Sequence, residues 1–124
     1  MNITLWIIAG VLAAAFSGAG AMKLTAPRAK LEENMNWVKS ASDEQVKLIG
    51  LLEVLGAVGL ILPAAFDIAP ILVPVAAAGL ALMMAGAAVV HARIEDPAAD
   101  AVPALVLGAL AAFVAIMRFG LQAF

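Results

Sequence analysis

The amino-acid sequence predicts an all-α fold, an integral membrane four-helix bundle, and three observations carry that prediction. Apolar residues make up 65% of the 124-residue chain and charged ones only 13%, with a mean hydropathy of +1.08. A soluble domain has about 45–50% apolar and about 25% charged residues, so the surplus must face something other than water. The apolar residues are gathered into four runs and most charges into the connections between them. Hydrocarbon offers the backbone no water to bond to, so each run must be a helix.

The first span covers residues 3–22, which include no ionisable side chain. A bilayer core needs about 20 apolar residues at about 1.5 Å each, and this run supplies them. A secretory leader has a basic start and a shorter core. Here only Met1 and Asn2 precede a run of full spanning length, so it is expected to stay as a helix. The second span runs over 46–66 and is interrupted once, by Glu53. Asp67, between Pro63 and Pro70, marks a turn, and the third span follows over 68–91. The polar residues 93–100 lead into the fourth, 102–120, with Arg118 near its end. Small residues should let these helices approach closely. Gly10, Ala14 and Gly18 recur at four-residue spacing in span one, and Gly50, Gly56 and Gly59 share the sector of Glu53 in span two.

The connection over 23–47 holds five of the seven basic residues, and Arg93 falls in the connection at the same end. Only Arg118 lies at the other. Basic residues in short loops stay inside, so both charged loops are expected in the cytoplasm and both termini and the Asp67 turn outside. Residues 26–38 should form an amphipathic segment on the membrane surface, with Thr25 and Pro27 opening a helix. Leu31, Met35 and Val38 would make its apolar face beside Trp37. Ser42 and Gln45 have the spacing of a capping box that opens span two.

Function is less constrained. The sequence has no cysteine, hence no disulfide, no thiol nucleophile and no Cys-based metal site. One histidine supplies too few ligands for a metal site, and metal is not expected. The net charge of −2 comes without a basic block, which argues against nucleic acid as a partner. Three ionisable residues share a depth. Lys23 ends span one, His91 ends span three, and Glu53 lies about 9 Å below Lys47 at helical rise. An ionised carboxylate is costly in hydrocarbon, so Glu53 must face the bundle and find a partner or else carry a proton. Lys23 and His91 are the candidate partners, with Ser17 one or two turns deeper. Such a cluster could bind a quinone-like head group or move a proton; equally, it could only fix helix register. Met83 and Met84 are expected to be adaptable packing.

The residues Gly20-Ala21-Met22-Lys23-Leu24, Leu52-Glu53-Val54-Leu55-Gly56 and His91, set in four short spans, resemble the DoxX-like membrane proteins over essentially the whole chain. The resemblance implies a four-helix membrane bundle and association with membrane redox systems. These include thiosulfate:quinone oxidoreduction and complexes that handle oxidative or sulfur stress, while relatives in animals assist assembly of other membrane proteins. The lack of cysteine argues against sulfur chemistry by this chain alone. The expected role is an accessory or quinone-linked subunit in the lipid bilayer, with quinone as candidate cofactor, a redox protein as candidate partner and a homo-oligomer left open. Whether the chain is itself an enzyme is not decided by these residues. The alternatives are a small proton-coupled exporter, although such exporters carry their glutamate in the first helix, and an assembly factor without a small-molecule site.

Overall fold

A computed structural model describes residues 2–94 and 98–124, apart from the side chains of residues 34 and 98–100. It is an all-α membrane bundle. Helices α1 (Asn2–Thr25), α3 (Asp43–Ala65), α4 (Leu72–Arg93) and α5 (Ala98–Phe119) are the long elements, and a short helix α2 (Arg28–Asn34) and a 3₁₀ turn (Asn36–Ser40) lie between α1 and α3. Among the described residues four helices are long and apolar enough to cross a membrane, in α5 over Ala101–Phe119.

The chain runs up and down, and α1 packs most closely on α3 and α4 on α5. Each helix turns one stripe inward. On α1 this is Leu5, Ala9, Leu12, Phe16 and Gly20, and on α3 Val46, Gly50, Glu53, Ala57 and Leu60. Steps of three and four residues keep one side of a helix facing a neighbour. Outside the stripes the surface is apolar, with Leu82 74% and Ile116 69% exposed. In water this would be an aggregation hazard; in a bilayer it is the solvated face.

The close approach between α1 and α3 is made by Gly20 and Gly50. A Cβ at Gly20 would lie 2.6 Å from the Gly50 carbonyl oxygen, and one at Gly50 would lie 2.9 Å from that of Gly20. The expected Gly10–Ala14–Gly18 stripe does not serve here. All three are exposed, and nothing lies within 4 Å of a Cβ built at Gly10 or Gly18. The inward stripe ends on Gly20, about 160° around the axis from Gly18, at some 100° per residue.

Helix α3 opens with the expected capping box, Ser42 Oγ accepting from the Gln45 N–H while the Ser42 N–H donates to Gln45 Oε1. It closes on Asp67 in the left-handed region at φ 53°, with the Ile68 N–H donating to the Pro63 carbonyl and that of Asp67 to Ala64. This Schellman arrangement satisfies two carbonyls at the helix end. Ala69, before Pro70, turns again at φ 47°. The turn therefore extends to Ile71, and α4 begins at Leu72, after the expected residue 68. At this end of the bundle Arg118 is 4% exposed, donates to the Gln122 carbonyl at 2.8 Å and stacks on Phe124, whose ring meets Trp6 edge-on.

Candidate functional site

The sequence places a glycine three residues before each member of a charged pair: Gly20 before Lys23 on α1, and Gly50 before Glu53 on α3. Residues three apart share a helix face, so the contact between the glycines brings the charged residues together. Lys23 Nζ lies 2.6 Å from Glu53 Oε1, with the side chains 10% and 4% exposed. This distance balances the charge. Oε1 is fully buried, so its charge is met by the Lys23 ammonium and not by water.

Beside it lies a cleft of about 860 Å³ shared by all four long helices. Lys23 and Glu53 provide charge, Phe16, Met83, Met84 and Leu107 provide apolar wall, and His91 lines it from the last turn of α4. The structure thus brings Lys23, Glu53 and His91 to one cleft. Ser17 is not part of it, being exposed and absent from the lining. The reason is azimuth. Six residues before Lys23 is about 120° away around the helix, whereas Phe16 and Ala19 fall on the facing side.

The segment over the cleft differs from the expected single amphipathic helix. Thr25 belongs to α1, its hydroxyl donating to the Ala21 carbonyl, and Pro27 takes the N-cap position of α2 without a side-chain cap. Helix α2 ends at Asn34, Met35 is extended at φ −137°, and the chain continues as the 3₁₀ turn. The expected apolar residues nonetheless converge. Leu31 and Val38 bury against Val46, with Met35 and Trp37 packed on them. Trp37 lines the cleft, its ring centroid 6.0 Å from Lys23 Nζ, the outer reach of a cation–π contact.

Arg28 holds this cover and was not among the expected site residues. Its guanidinium donates to Asp43 Oδ1 at 2.6 Å, to Glu32 Oε1 at 3.2 Å, and to the carbonyls of Val38 and Ala41 at 2.8 and 2.6 Å. The hydrogen bond to Asp43 holds the guanidinium above its ordinary pKa. The four-residue step to Glu32 was the one local signal; the other partners depend on how the segment folds. We expect Arg28→Ala to free the cover and shift Trp37 emission to the red in a Trp6→Phe background. Arg28→Lys should not restore it, since an ammonium lacks the fork that spans these acceptors. Unchanged emission in both variants would show that Arg28 is not the fastener.

Neither the curated proteins nor the solved structures include a match to this chain. The model of the DoxX-like family matches residues 7–114, which take in the ion pair, its cover and the walls of the cleft. The chain belongs to the DoxX-like family.

Proposed function

We propose that this DoxX-like membrane protein is an accessory, quinone-linked subunit of a membrane oxidoreductase or stress-response system. The observation that carries this reading is a buried lysine–carboxylate pair on an apolar-walled cleft of about 860 Å³. That volume falls in the range of about 300–1,000 Å³ usual for small-molecule sites, which combine apolar walls with few polar groups. A quinone head is a flat ring with carbonyl acceptors, and it fits this donor set. Lys23 would donate to a carbonyl oxygen, and Glu53 would keep the ammonium in place. Phe16 and Leu107 would exclude water from the ring, while Met83 and Met84 adjust to its outline.

When bound, a quinone supplies two-electron chemistry. The sequence has no cysteine to contribute a thiol couple, so electrons would come from a partner redox protein. The pairing of Glu53 with Lys23 favours head-group binding over the exporter alternative, in which the carboxylate must be free for substrate and proton in turn.

The test is titration of the protein in lipid nanodiscs with a decyl-benzoquinone, reading Trp37 emission after Trp6→Phe. Quenching should saturate, and Lys23→Met should weaken the midpoint about tenfold or more, as for loss of a hydrogen bond to a charged group. Quenching that grows only with quinone dissolved in the bilayer, and ignores Lys23, would sink the proposal.

A further inference from the structure

We infer that a second, smaller pocket at the cover end of the bundle holds an anionic phosphate group, supplied by a phospholipid headgroup or by free phosphate. It does not depend on what the cleft binds. The pocket has a volume of about 180 Å³. Sites for drug-sized molecules have about 300–1,000 Å³, so this one suits a compact group. Lys23 from the end of α1, Arg28 from α2 and Lys47 from the start of α3 line it, together with Asp43.

Three cations thus share one wall with a single carboxylate. Asp43 is already answered by Arg28 at 2.6 Å. Glu32 and Glu53 offset charge on Arg28 and Lys23, but neither lines the pocket. Lys47 is the cation with no such answer: it is exposed, and among the described residues it makes no ion pair. Its three ammonium protons remain to donate, as does one N–H of Arg28 beyond the four that hold the cover. The first turn of α3 forms part of the same wall, and the positive end of its dipole adds to the attraction. Basic pockets between membrane helices at this depth suit anionic headgroups. The surface below Lys47 favours the lipid source. Leu51, Leu55, Val58 and Leu62 follow it along α3 at steps of four and three, and all are exposed. An acyl chain lying on that stripe brings its headgroup to the pocket.

The experiment unfolds the full chain in neutral detergent micelles doped with phosphatidylglycerol or, separately, with phosphatidylcholine. In a third arm inorganic phosphate replaces chloride at matched ionic strength. A ligand of the folded state raises stability with its concentration. Phosphatidylglycerol is expected to raise the unfolding midpoint saturably, and phosphatidylcholine, whose phosphate is neutralised by its own choline, much less. Lys47→Gln should weaken the response to phosphatidylglycerol about tenfold, as for loss of a hydrogen bond between charged groups. Lys39→Gln removes the same charge from an exposed residue outside the pocket and should leave the response nearly unchanged. A midpoint that rises with inorganic phosphate through Lys47, and not with phosphatidylglycerol, keeps the site and assigns it to free phosphate. No response to phosphatidylglycerol or phosphate, equal responses to the two lipids, or equal losses from Lys47→Gln and Lys39→Gln overturn the site and leave the quinone reading untouched.

Discussion

Glu53→Gln and Lys23→Met are each expected to destabilise the bundle by about 3–5 kcal/mol, while the two together recover much of the loss. The pair is buried, so removing one partner strands the other where water cannot solvate it. Removing both leaves no charge buried, and a neutral Gln amide at position 53 costs less there than a stranded ion, so much of the loss is recovered. Unfolding in mixed detergent micelles, followed by Trp emission, would measure all four corners of the cycle. Additive losses would mean that the residues do not act as a pair. Quinone binding should separate from stability here. The double variant should fold and still bind quinone more weakly than the unaltered protein, because the Lys23 ammonium that donates to the head group is gone.

The fold was legible because membrane-spanning length is a local property. Four runs without water-loving side chains fix four helices, whatever their tertiary contacts. Depth was legible for a similar reason. At a constant rise per residue, Lys23, Glu53 and His91 fall near one level, and all three line one cleft. Azimuth was harder, as Ser17 and the Gly10–Ala14–Gly18 stripe show. A lipid-facing side is as apolar as an inward one, so the hydrophobic pattern that orients a helix in water is weak here. The cover was legible in composition and obscure in shape. Leu31, Val38 and Trp37 converge as their periodicity suggests, but the break at Met35 and the hold of Arg28 on two carbonyls come from the segment folding on itself.

Gly20→Ala is expected to have the next largest effect after the ion-pair variants, though it adds a single methyl group. That methyl carbon would lie 2.6 Å from the Gly50 carbonyl oxygen and 2.7 Å from Val54 Cγ2. The valine can rotate away. The carbonyl belongs to the backbone of α3, so relief requires moving one helix from the other, and overpacking of this kind costs about 1–3 kcal/mol and sometimes more. Gly18→Ala, two residues away, meets open space and should be neutral or gain up to about 1 kcal/mol of helix propensity. The contrast between neighbouring glycines is the measurement, made by the same unfolding assay. Equal effects at both would show that α1 and α3 do not meet at Gly20. The consequence reaches the site, because Lys23 and Glu53 are brought together by that contact. In a protein already carrying Glu53→Gln and Lys23→Met, Gly20→Ala should retain its steric cost and lose the part that came from parting the charges. A cost that vanished altogether in this background would mean that the glycine acts through the ion pair alone, with room between the helices for the added methyl.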